Sequence, residues 1–389
     1  MVVHIYFLIP IDLVLSMQRT NTTMAVTTVS VRKTCLQFKS SIRLIAYMLI
    51  FAMGASIHWA HAASTPADTV YFQAQGPEQG PEQDNIRQLK GTIADFSGQG
   101  LRIISPNGQE RLIPAERVIR IDTQRTPAQR AARLATKADQ HTKAASTYYR
   151  LLQSEGEKRN WVRREILSEL VLALRADGNY YQATKTFLQL LRDDPRTPYF
   201  NVIPLVWTGG TTLSPEAETT ATRWLESQNR LERLLGSSLL LSSRKSQQAE
   251  RVLNALAETA TEPINSLAQA QWLRLRLPQA TEQNIHTCEQ TIKQLPLSLQ
   301  GGPYYILGRL YLAKGENRKA AVAAMRVPIL YNGNPNLAAE ALLTAGKAAR
   351  QAGLIEDAKE IYRELINTYP KTTAAVDAQQ RKAALNEVP

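Results

Sequence analysis

The chain has 389 residues, 44% of them hydrophobic, with 46 Lys and Arg against 34 Asp and Glu for a formal charge of +12. The positive excess favours acidic partners, but the charges are scattered and no block of like charge marks a nucleic-acid arm. Of the two cysteines, Cys35 lies ahead of the apolar run of the export signal described next and is expected to leave with it, so Cys288 is the single thiol of the exported chain and no intrachain disulfide is expected.

The chain opens with VVHIYFLIPIDLVLSM, an apolar run broken by Pro10 and Asp12 with no basic residue ahead of it. It makes a poor membrane span. A better-formed signal follows in Arg32, Lys33, Lys39 and Arg43, the apolar run from Leu44 to Ile57, and Ala60-His61-Ala62. Basic, apolar and small-x-small segments in that order predict a secretory signal peptide cleaved after Ala62, its apolar part shorter than the roughly 20 residues a transmembrane helix needs. An uncleaved anchor is the alternative. The long stretch before the basic residues points to a translation start at Met17 or Met24. No cysteine stands at a lipid-attachment position. Residues 1–62 are thus an N-terminal extension and signal peptide, and the expected location is the periplasm or extracytoplasmic envelope. Their removal takes five Lys or Arg and one acid, lowering the charge from +12 to +8, and leaves 327 residues, enough for a repeat array and a small module.

Residues 63–85 include the duplicated tetrapeptide GPEQGPEQ and no periodic apolar face, which reads as a flexible linker. From 86 to 123 the pattern becomes short alternating segments, LKGTIADF, LRIIS, ERLIP and RVIRID, separated by Ser97-Gly98-Gln99-Gly100 and Pro106-Asn107-Gly108. Asn-Gly between β-rich runs is a strong hairpin signal, so a small antiparallel β module of three or four strands is expected. In size and turn placement it resembles the SH3-like and Sm-like barrels. Arg102, Arg111, Arg117 and Arg120 could give it a basic face for an anionic ligand, although alternating arginines on a half-buried sheet are more often a solvated face.

Helix signals fill residues 126–389, beginning at Thr126-Pro127, an N-cap followed by proline at the first helical position. The clearest pattern runs from Tyr304 to Pro370, where two helix-turn-helix units align at an offset of 38: Leu307-Gly308 with Ala345-Gly346, Tyr311 with Ala349, Gly315 with Gly353, and Ala320 with Ala358. Small residues at Gly308, Gly346, Ala320 and Ala358 let paired helices approach closely, and Gly315 and Gly353 stand where the first helix must end. The chain therefore resembles the tetratricopeptide repeats, with further copies at Gly178, Tyr180, Ala183, Phe187 and Pro195 and at Tyr362 and Pro370. Weaker copies place helix-B anchors at Ala144, Ala183, Ala249, Cys288, Ala320 and Ala358, which makes six pairs. The resemblance implies a mainly α fold, a right-handed α-solenoid of such pairs behind the β module. Pro328 should shorten or kink its helix, and Thr372 to Asn386 should form a polar capping helix. An apolar insertion at 196–215, with Phe200, Ile203, Leu205, Val206 and Trp207, interrupts the array. It is either a docking element or a segment folded over the seam between neighbouring pairs, and burial favours the second.

Catalytic signatures are lacking. His141 and His286 have no Cys, Asp or Glu at ligand spacing, no phosphate loop, nucleophile elbow or H-E-x-x-H occurs, and Cys288 sits where the repeat takes a small buried side chain. No enzyme activity, metal or cofactor is expected. In the family resembled, helix A positions line the binding groove; carried over, they include Glu165, Ser168, Leu172 and Arg175, Tyr305, Arg309 and Leu312, and Glu340, Leu343, Lys347 and Arg350. Arg175, Tyr305, Arg309, Lys347 and Arg350 would form a basic, partly aromatic patch suited to an acidic protein segment. The expected function is an exported non-catalytic scaffold or adaptor; the alternative is binding of an anionic envelope polymer or nucleic acid through the β module.

Overall fold

A computed structural model describes residues 68–74, 86–209 and 212–386. The proposed signal peptide and the GPEQ duplication lie outside them. Five strands form one antiparallel sheet: β1 (Asp68–Gln73), β2 (Ile86–Ser97), β3 (Gly100–Ile104), β4 (Glu110–Ile113) and β5 (Val118–Asp122), in the order β4-β3-β2-β1-β5. The sheet therefore begins at Asp68, inside the stretch expected to be linker. DTVYFQ carries the β-branched and aromatic residues of a strand, and β1 pairs with both β2 and β5. The long β2 serves two neighbours, β1 through Ile86–Gly91 and β3 through Thr92–Ser97. Val70, Ile93, Phe96, Leu101, Ile103 and Ile113 are its buried apolar residues.

Fourteen helices follow among the described residues. Six pairs are α1 (Pro127–Lys137) with α2 (His141–Gln153), α3 (Asn160–Ala176) with α4 (Tyr180–Asp193), α6 (Arg230–Leu240) with α7 (Ser246–Thr259), α8 (Ile264–Leu273) with α9 (Glu282–Gln294), α10 (Gly301–Ala313) with α11 (Asn317–Leu330), and α12 (Pro335–Gln351) with α13 (Ile355–Thr368). The single helix α5 (Pro215–Leu225) stands between the second and third pairs, and α14 (Thr373–Asn386) closes the array. The array is an α-solenoid, and the turns of its first, second, fifth and sixth pairs repeat one hydrogen-bonding scheme. Gly178, Gly315 and Gly353 take φ near 78°, 78° and 77°. The next N–H then reaches back into helix A, as from Asn179 to the Leu174 carbonyl (2.8 Å), Glu316 to Tyr311 (2.9 Å) and Leu354 to Ala349 (2.9 Å). In the first pair Asp139, with φ 53°, takes the glycine's place.

The packing residues fall as the repeat requires. Ala183, Phe187, Ala320, Ala358 and Tyr362 have no exposed surface, and a Cβ on Gly308 or Gly346 would meet Ala324 at 3.1 Å or the Tyr362 ring at 2.4 Å. Pro328 does not shorten its helix. α11 runs for 14 residues, the length of α13, because a proline in the last turn removes one backbone bond rather than several. The interruption before the third pair holds the apolar loop and also α5, whose Trp224 lies 6.1 Å from Tyr181 of α4.

The sheet is tied to the second pair through polar side chains. Arg164 of α3 donates to the Asp95 carboxylate and the Phe96 carbonyl, and Arg159 donates to Thr123 Oγ1 (2.9 Å) and the Gln124 carbonyl (2.8 Å). The Gly98 N–H donates to Asp194 Oδ2 at 2.9 Å. At the far end the array curls back on itself. Asn336 of α12 donates to the Ala176 carbonyl (3.0 Å), and Lys371 reaches the Asp139 carbonyl at 3.3 Å.

Candidate partner-binding surfaces

The curl of the array turns helix A of each later pair toward an inner face, and the chain fills that face itself. The Val202 carbonyl accepts from Arg175 of α3 (3.1 Å), the Val206 N–H donates to Ser238 of α6 (2.8 Å), and the Thr208 carbonyl accepts from Arg274 after α8 (3.5 Å). Trp207 lies against Gly302 of α10, where an added Cβ would be 2.0 Å from the indole. Ile203, Leu205, Val206 and Trp207 are all buried. The insertion is thus packed, as its apolar content favours, but it lies across helices A of successive pairs rather than over one seam. A cavity of about 310 Å³ remains beside it, lined in part by Leu172, Arg175 and Leu337.

Contacts within the chain take up most of the expected basic patch. Arg175 is turned to the Val202 carbonyl, and burial pushes its guanidinium below the usual arginine range. Tyr305 is only 2% exposed and belongs to the core. Arg309 stays beside it, donating to the Tyr305 hydroxyl at 3.3 Å with its guanidinium 5.8 Å from the ring centre. Lys347 is paired at 3.0 Å with Asp377 of α14. Of the five residues, Arg350 alone is fully on the surface. The other carried-over positions are similarly engaged: Glu165 is bound by Arg125 at 2.7 Å, and Ser168 and Leu343 are buried. The helix A positions are carried over from the family resembled, and that resemblance cannot register that a distant stretch of the same chain occupies part of the face they line.

An open apolar cleft lies on the other side of the array, between helices α9 and α11 over α10, with a volume of about 510 Å³. Tyr304, Leu307 and Tyr311 of α10, Ile292 of α9, and Val322 and Ala323 of α11 line it. Val322 is 62% exposed. Arg318, Val322 and Arg326 recur at intervals of four, so one stripe of α11 carries an apolar residue between two cations. That arrangement was visible in the sequence as a valine on the outward face of helix B. Arg326 donates to the Tyr304 hydroxyl at 2.5 Å, its guanidinium 4.8 Å from the ring centre, and Tyr304 stacks on Tyr331. Tyr311 donates to Glu289 Oε1 at 2.5 Å, and Lys319 pairs with Glu316 at 2.6 Å.

The arginines of the β module are not gathered on one face. Arg102 pairs with Glu110, Arg117 donates to the Gln73 carbonyl, and Arg120 lies over Tyr71 and pairs with Asp122. Arg111 stands opposite Ile103 in the register while Arg102 stands opposite Leu112, so alternation sends them to opposite faces. Cys288 has no exposed surface, its thiol is directed at the Pro303 carbonyl, and burial pushes its pKa well up. His141 stands at the start of α2, 3.7 Å from Asp139, and His286 is exposed on α9. No cluster of three His, Cys, Asp or Glu suited to a metal occurs among the described residues, and no described helix is long and apolar enough to cross a membrane.

No curated protein matches the chain. The family model of the tetratricopeptide repeat matches residues 340–372, the stretch from α12 through α13. The matched pair is preceded by five other helix pairs, three of which share its turn, and these together support a tetratricopeptide-like helical-repeat protein carrying an N-terminal antiparallel sheet.

Proposed function

We propose that the protein is an exported, non-catalytic scaffold of the cell envelope that binds protein partners on the outer surface of its helical array. Stacked helix pairs present extended surfaces suited to protein recognition. The observation that carries the reading is the cleft between α9 and α11, where Val322 stays 62% exposed above the buried Ile292, Leu307 and Ala323 while the inner face is filled by residues 202–208. A folded chain gains by covering apolar surface, so an open apolar patch with a polar rim is the mark of an interaction site. Export rests on the order of basic, apolar and small residues from Arg32 to Ala62. The buried thiol of Cys288 and the dispersed histidines support a role without catalysis.

The test is affinity capture from envelope fractions, with the full chain expressed from its own start as bait, beside Val322→Asp. Val322 is exposed, so the variant should keep the wild-type melting temperature. Loss of a partner from the variant's set is expected. Identical sets for the two baits would remove the outer cleft as the binding surface, and recovery of the chain from the cytosol alone would end the export reading.

A further inference from the structure

Resting on the protein-binding reading, we propose that the α9–α11 cleft seats a partner segment in which an apolar side chain is flanked by carboxylates. The floor and walls call for the apolar side chain: Leu307, Ile292 and Ala323 line the cleft beside Val322, together with Tyr304 and Tyr311. The rim calls for the carboxylates. Lys293, Arg318 and Arg326 are exposed and have no acidic partner within ion-pair distance among the described residues. Of the acids nearby, Glu316 is paired with Lys319 and Glu282 with Lys314, while Glu289 accepts from the Tyr311 hydroxyl and keeps its charge, so three free cations stand against one carboxylate. A cationic ligand would meet three unneutralised positive groups, whereas an acidic one satisfies them. Arg326 is also held in place by the Tyr304 ring and hydroxyl, so its guanidinium is ordered before a ligand arrives. A polyanion without an apolar residue would leave the aromatic floor wet. The site thus selects for charge and an anchor together.

The experiment is fluorescence anisotropy of the full chain with a synthetic peptide of about a dozen residues in which Leu and Phe are set among Glu and Asp. Two controls are the same peptide with Gln and Asn for the acids, and a polyglutamate of equal length. The acidic apolar peptide should bind, with both controls weaker by about tenfold or more. Arg318→Glu combined with Arg326→Glu should weaken it by at least as much, and Val322→Asp should do so without moving the melting temperature. The inference is overturned if the wild-type protein does not bind the peptide, if polyglutamate binds equally well, or if the charge-reversed variant binds with unchanged affinity. Envelope partners lost with Val322→Asp, together with no binding of the peptide, would overturn this inference and leave the scaffold reading standing.

Discussion

Gly302 shows how one residue can be tied to a segment nearly a hundred positions away. A Cβ there would lie 2.0 Å from Trp207, in a buried contact where neither α10 nor the insertion has room to give. Gly315 has the opposite character, with nothing within 4 Å of an added Cβ but φ at 78°. The first glycine is required by space and the second by backbone conformation. Gly302→Ala should therefore cost about 1–3 kcal/mol through overpacking, whereas Gly315→Ala should cost about 1 kcal/mol through left-handed strain. Urea denaturation of both variants checks this, and a Gly302→Ala variant as stable as wild type would show that Trp207 does not press on α10. Only the second requirement was legible in the sequence, because the turn glycine repeats at a fixed offset while Gly302 answers to a residue outside its own repeat.

At the scale of elements, the helix pairs were the legible part. Their small residues and turn glycines recur locally, so six pairs and a capping helix could be placed from spacing alone. The first strand was hidden by its neighbour: GPEQGPEQ dominates the composition of residues 63–85, although TVYFQ within it has strand chemistry. What joins the elements was less legible still, since the contacts between sheet and array are made by charged side chains that the sequence assigns to the surface. Arg159 is one of these, and Glu157 holds it in place. Burial raises the Glu157 carboxyl, but the Arg159 side chain, the Arg159 N–H and the charges of Arg159 and Arg163 bring it below the ordinary glutamate value. Folding therefore favours the ionised form. The group contributes stability above its unfolded pKa and loses it as pH falls through the lower folded value. Because Arg159 also holds Thr123 and Gln124 at the end of the sheet, protonation should loosen this junction. Glu157→Gln should flatten the fall in urea midpoint between about pH 5 and pH 3. An acid limb as steep as that of wild type would place the pH sensitivity elsewhere.

Across the whole molecule, the face that the repeat resemblance assigns to recognition is largely taken up within the chain, while an open cleft lies elsewhere on the array. The resemblance implies recognition on helix A, at Arg175, Tyr305, Arg309, Lys347 and Arg350, yet Arg175 is turned to the insertion, Tyr305 is buried with Arg309 against it, and Lys347 is paired with the capping helix, which leaves Arg350 on the surface. The outer cleft needs two helices B of successive pairs, α9 and α11, to stand apart over α10. No single repeat contains it. If the insertion holds the inner face together, its anchor can be removed without touching the outer helices. Trp207 is 7% exposed, and Trp207→Ala should cost about 3–5 kcal/mol through lost burial and the cavity left behind. Hydrogen exchange should then accelerate in α3, α6 and α10, whose side chains or backbone contact the insertion, well before it does in α9 and α11 at native pH. Binding of a cleft ligand to the folded fraction should persist. Uniform acceleration across inner and outer helices would mean instead that the array unfolds as a single cooperative unit and that the insertion is no more than one part of its core.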